Sequence, residues 1–195
     1  MKAVLISIQP KWCELIASGK KTVEVRKTKP KLETPFKCYI YCTKGEPLMK
    51  TKGNDCFIDK EHRQGENLYG LYEFLNGKVI GEFVCDKVTE IKSDAVYSKV
   101  FGGFDVRFNF DKYASCLTEE QIFDYLGEGK GYAWHITDLV IYDKPKELSE
   151  FHIVGCKGCR DKDTYHCKFH CIGERRLKRP PQSWCYVEEL KGESE

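Results

Sequence analysis

Lys21, Glu24 and Arg26 crowd an ammonium, a carboxylate and a guanidinium into one short run, Gly19-Lys20-Lys21-Thr22-Val23-Glu24-Val25-Arg26. A lysine supplies a point charge or, with a lowered pKa, a base. A glutamate accepts hydrogen bonds or carries a proton. An arginine offers a planar donor fork that fits phosphate, carboxylate or a base edge. If the segment is a strand, alternation puts Val23 and Val25 on one face and Thr22, Glu24 and Arg26 on the other. Two readings follow from spacing alone: a polar site at a barrel mouth, or a solvated strand face with an ordinary ion pair.

Three other segments carry chemistry. In Tyr132-Ala133-Trp134-His135, an aromatic beside a polar cleft can stack on a base, and a histidine can donate to phosphate or move a proton near neutral pH. Alternation requires one of the two to face the core. Lys130, in the glycine-rich approach to this stretch, is a candidate phosphate contact. Cys156-x2-Cys159 followed by Cys167-x3-Cys171 is the third segment, with His170 as an alternative ligand. Four thiolates close a tetrahedral shell, so the metal expected there is a structural Zn2+. Reduced thiols or a disulfide are the competing readings. The basic run Arg175-Arg176-Leu177-Lys178-Arg179 follows, and with Lys20, Lys21, Arg26, Lys27, Lys29 and Lys31 it makes the local positive patches of the chain.

These residues need elements to position them. Residues 2–8 read as a buried first strand. Pro10 suits the first position of a helix over residues 10–18, with Trp12, Leu15 and Ile16 on one face and Gly19 as its stop. Residues 21–26 and 36–42 read as strands, and 43–68 as a long loop or insertion. Val79 to Ile91 reads as one long, bent strand. Thr118 caps a helix through Leu126, with Glu119 and Glu120 in its first turn. Leu139-Val140-Ile141-Tyr142 and Ser183 to Leu190 read as further strands, and 145–150 as a helical turn.

Composition limits the rest. The chain has 195 residues, 41% hydrophobic and 13% aromatic, enough for a core and too many for a disordered chain. Its 32 basic and 30 acidic residues leave a net charge of +2, so nucleic acid would bind through a local patch rather than whole-molecule attraction. No apolar run approaches the ~18 residues of a membrane span. The apolar start is too short for a signal peptide, and the expected compartment is the cytoplasm. Of the eleven cysteines, Cys13, Cys38, Cys42, Cys85 and Cys185 lie in apolar stretches and are expected in the core.

Ser7-Ile8-Gln9-Pro10, then a helix, then Gly19-x-Lys21-x-x-Glu24-x-Arg26 resembles the hallmark of the ASCH family. The resemblance continues through Tyr132 to Leu139 and Arg179 to Glu188, stretches similar to phage- and Firmicute-type ASCH proteins. It implies a PUA-like barrel with a cleft beside the first helix, and RNA, a nucleotide or a modified nucleoside as ligand. Ser7, Gln9, Lys20, Lys21, Glu24, Arg26, Trp134 and Lys130 are the expected ligand-binding residues. One family branch is similar to an amidohydrolase that deacylates acetylated cytidine through lysine, threonine and glutamate. Lys21 matches the lysine, but Glu24 stands where the threonine would be, so the nucleophilic hydroxyl is missing and that activity is not carried over. An alternative is a hydrolase acting on RNA or a modified nucleoside, with Lys21 and Glu24 as acid–base groups and His135 assisting. A second alternative is a regulatory interaction protein without catalysis. The expected fold class is α+β, mainly β: a small PUA-like β-barrel with flanking short helices and a Cys-rich C-terminal insertion. Residues 1–154 with 180–190 would form the barrel, and 155–179 a basic Cys/His-rich insertion, a zinc knuckle.

Overall fold

The computed structural model describes residues 1–45, 48–52, 55–59, 73–98, 103–154 and 176–190. Strand β1 (Lys2–Ile8) runs into helix α1 (Pro10–Ala17), then β2 (Val23–Arg26) and β3 (Phe36–Cys42). Next come β4 (Leu48–Lys52), β5 (Asp55–Asp59), β6 (Glu73–Phe74), β7 (Val79–Cys85), β8 (Val88–Glu90), β9 (Ser93–Ser98) and β10 (Gly103–Phe108). Helix α2 (Glu119–Leu126), β11 (Tyr132–His135), β12 (Thr137–Lys146) and β13 (Trp184–Glu188) complete the order. The chain is mainly β with two short α-helices among the described residues, as expected.

The main sheet has five strands in the order β12-β7-β3-β1-β13. β1 and β3 lie parallel at its centre and the other neighbours are antiparallel. Central parallel strands are covered on both faces, and this explains the unbroken apolar run of β1. Val4, Ile6 and Ile8 face one core with Cys38, Ile40, Phe83 and Trp134. Ala3 and Leu5 face a second core with Tyr39, Phe151, Leu177 and Val187. A three-stranded sheet, β2-β11-β8, packs beside it.

The expected closed barrel is not what the described strands form: they make the five-stranded sheet, two three-stranded sheets and a β9/β10 hairpin. Two corners link the first two sheets. β7 passes into β8 across Asp86-Lys87, and β11 passes into β12 across Ile136. The long strand expected over 79–91 is therefore two strands in different sheets. The expected loop over 43–68 contains a hairpin, with Leu48 opposite Asp59 and Lys52 opposite Asp55. The dipeptide Gly53-Asn54 in the sequence was the available signal.

The helix boundaries follow their expected punctuation. Pro10 opens α1, and Gly19 takes φ +72° just beyond it. The buried face of α1 is Pro10, Cys13 and Ile16, rotated from the expected stripe and leaving Trp12 half-buried. Thr118 and Gln121 form a reciprocal capping box at α2. Cys13, Cys38, Cys42, Cys85 and Cys185 are buried, as their apolar contexts suggested. Burial pushes the Cys85 and Cys185 thiols up to about 12, which suits inert core groups.

At the far end, His152 pairs with Arg176 and Ile153 with Val187. Cys156, Cys159, Cys167, Cys171 and His170 lie outside the described residues, so the zinc knuckle does too. Among the described residues, no cluster of His, Cys, Asp or Glu could hold a metal ion, and no helix is long and apolar enough to cross a membrane.

Gly81 is where β7 needs a missing side chain. A Cβ there would collide with the Val140 carbonyl oxygen of the adjoining β12. Backbone cannot yield as a flexible side chain can, so Gly81→Ala should cost about 1–3 kcal/mol. A urea-midpoint shift at constant slope would measure it. An unchanged midpoint would show that the β7/β12 edge opens freely.

Candidate functional site

The end of β1, the start of α1 and the whole of β2 meet at one cleft. Gly19 turns the chain back, and the Lys21 amide bonds to the Leu15 carbonyl, seating Lys21 against α1. β2 then pairs with β11, placing Glu24 opposite Trp134 and Arg26 opposite Tyr132. All four β2 residues are buried. The solvated-face reading of this strand therefore fails.

Glu24 holds a cation on each oxygen. Its Oε2 lies 3.2 Å from Lys21 Nζ, and its Oε1 lies 3.0 Å from Arg26 Nη2. The three side chains are 1%, 8% and 9% exposed for Lys21, Glu24 and Arg26. Lys21 Nζ also donates to the Val23 carbonyl at 2.8 Å and the Ser115 carbonyl at 2.7 Å, so it has three oxygen partners for its three protons. Arg26 Nη2 donates to the Ser7 carbonyl at 2.6 Å, while its buried Nε has no partner among the described residues. Two cations share one carboxylate, which leaves one net positive charge in a desolvated place. Arg26's field reaches the core, opposing the burial that pushes the Cys38 thiol well up.

The triad lies along a cleft of about 910 Å³. Ser7 and Gln9, from the β1–α1 junction, line it as expected, with Lys21, Glu24 and Arg26. Ser7 Oγ is committed to the Pro181 carbonyl at 2.7 Å. Further lining comes from residues that sequence reasoning did not single out as ligand contacts: Lys11 and Trp12 of α1, Lys27 and Thr28 beyond β2, Gln121, Asp124 and Tyr125 of α2, and Gln182 and Ser183. Helix α2 reaches this wall because Ile122 and Leu126 bury against Val25, on the opposite side of β2 from Glu24. Lys27 Nζ sits 5.3 Å from the Tyr125 ring centre, and Lys11 Nζ 4.6 Å from that of Trp12. The charged lining is Lys11, Lys21, Arg26 and Lys27 against Glu24 and Asp124, a local positive balance in a nearly neutral chain.

Four expected site residues are not on this lining. Trp134 is fully buried in the core, edge-on to Phe36 at 5.8 Å and 6.0 Å from Trp184. Its pairing with Glu24 puts it on the inward face, and the next residue, His135, must face the other way. His135 is half-exposed there, with Nδ1 2.7 Å from Asp86 Oδ1, away from Lys21 and Glu24. Lys130 is exposed and pairs with Glu90 at 3.3 Å. Lys20 is exposed at the turn, where its carbonyl accepts from the Cys116 thiol.

The model of the ASCH domain matches residues 6–137. Among solved structures, ASCH from Zymomonas mobilis aligns at 20% identity over 96% of this chain and 88% of that one, with a TM-score of 0.51. A tyrosine-to-phenylalanine mutant of that protein aligns at 20% identity over 97% and 92%, with a TM-score of 0.52. A serine-to-alanine mutant aligns at 18% identity over 96% and 89%, with a TM-score of 0.51. At these identities the likeness speaks for the fold. No curated protein matches the chain by sequence. The family model spans the β1–α1 junction, the buried triad of β2 and the strand paired with it, and on that match this chain belongs to the ASCH domain family.

Proposed function

We propose that this chain binds RNA, through a nucleotide or modified-nucleoside unit held in the cleft beside α1. One observation carries the reading: a buried triad with two cations on a single carboxylate, on the lining of an open cleft. A net positive charge removed from water favours an anion close by, since low dielectric strengthens the attraction. The cleft has the volume of small-ligand sites. Trp12 and Tyr125 supply ring faces on its walls, suited to a base, and Lys11 and Lys27 supply charges at its rim, suited to phosphate. Membership of the ASCH family, with RNA as the ligand that its resemblance implied, points the same way.

The hydrolytic alternative has less support. Lys21 Nζ is occupied by three protein oxygens, and His135 faces away from the triad.

Titration of short RNAs and 5′-mononucleotides by fluorescence or calorimetry tests the proposal. The expected result is saturable binding that weakens as salt rises, with Lys27→Ala several-fold weaker at low salt. Lys27 is exposed, so this change should leave the fold intact. If neither RNA nor mononucleotide binds at low salt, the proposal falls.

A further inference from the structure

Beyond Arg26 the chain runs Lys27-Thr28-Lys29-Pro30-Lys31, three exposed lysines at alternate positions leading out of the cleft. This strap is held at several points. Trp184 Nε1 donates to Thr28 Oγ1 at 3.0 Å, and the Lys31 amide donates to the Tyr186 hydroxyl at 2.7 Å. Pro30 is buried, and Leu32 packs against the first core. Lys29 Nζ lies 5.4 Å from the Tyr132 ring centre, and Lys2 Nζ 5.0 Å from that of Tyr186, the same ring that holds Lys31. Rings steady an ammonium group without cancelling its charge. Carboxylates do cancel it, as at Lys37 with Glu82 and Lys130 with Glu90. Among the described residues, no carboxylate forms an ion pair with Lys27, Lys29 or Lys31.

The strap thus continues the positive lining of the cleft outward on a fixed backbone. Neighbouring lysines are separated by at most about 7 Å of backbone, the scale of one nucleotide step. A lone nucleotide held in the cleft has no use for such a track, whereas the next phosphates of the same strand do. We infer that the ligand is a single strand of RNA several nucleotides long, one unit seated in the cleft and its neighbouring phosphates following Lys29, Lys31 and Lys2. The inference rests on the cleft reading above and adds to it the path that a single strand takes beyond the cleft.

The test compares a 5′-mononucleotide, a trinucleotide and a hexanucleotide of RNA on the wild type and on Lys29→Ala/Lys31→Ala. The affinity of the wild type should rise with length. The double variant should bind the mononucleotide normally but the hexanucleotide about tenfold or more weakly at low salt, with a log–log salt slope shallower by about 1.4. Melting curves should coincide, because both side chains are exposed. If the mononucleotide binds but the hexanucleotide binds no tighter, or binds the double variant equally, the strap inference is overturned while the cleft reading stands. If a duplex of the same sequence binds as tightly as the single strand, the single-strand assignment is overturned. If nothing binds at any length, both readings are overturned.

Discussion

Glu24→Gln should cost this protein about 3–5 kcal/mol of folding stability, the scale of breaking a buried ion pair by removing one partner. The carboxylate pairs with Lys21 on one oxygen and Arg26 on the other, with all three side chains at least nine-tenths buried. A neutral amide of the same shape keeps the packing and leaves two uncompensated cations beside one another. On an exposed strand the same substitution would cost at most about 1 kcal/mol. Urea denaturation of wild type and variant gives the difference directly. Glu24→Asp should fall between the two, since it keeps the charge and shortens the reach. The variant's triad carries two positive charges instead of one, so a bound RNA should raise its midpoint by more than it raises the wild type's. A Glu24→Gln protein within about 0.5 kcal/mol of wild type would mean that water reaches the triad freely.

Trp134→Ala should be comparably severe, about 3–5 kcal/mol, through the cavity it leaves between Phe36 and Trp184. Trp134→Phe should recover most of this. It keeps an aromatic ring in the cluster and removes an indole N–H that is buried with no partner among the described residues. Denaturant midpoints for the three proteins establish the order. RNA affinity should change little in the Phe variant, because Trp134 supports the sheet under the cleft without lining it. A Trp134→Ala protein of normal stability that had lost RNA binding would return this residue to the ligand.

Alternation made Glu24 and Arg26 neighbours on one face of β2, and so they are. What alternation could not supply was which face looked inward. Charged side chains are ordinarily solvated, so the pattern alone favoured an exposed surface. The covering elements come from far along the chain: the Ser115 carbonyl that receives Lys21, helix α2, and Gln182 and Ser183 at the cleft wall. The Trp134-His135 pair shows the same division. That one of them must be core was legible from the period of a strand. Pairing with Glu24 decided that it was Trp134. Gln121, Asp124 and Tyr125 left no signal, because the polar face of α2 looks like any solvated helix surface until the helix docks.

The amino-acid sequence by itself determined the local structure around the site. It specified a first strand buried on both faces, a helix opened by Pro10 and closed at Gly19, a strand carrying Glu24 and Arg26 just after Lys21, and a capped helix starting after Thr118. These depend on periodicity, caps and turns, which act over a few residues. Only the tertiary structure decided that the main sheet and its neighbour meet at corners at Asp86-Lys87 and Ile136, that the charged run is desolvated, and that Trp134 and His135 go opposite ways. Those outcomes depend on contacts between segments far apart in the chain, as in the bond across 174 residues from Ser7 to Pro181. Burial, and with it the strength of every charge in the cleft, is a property of what packs on top, which no local pattern encodes.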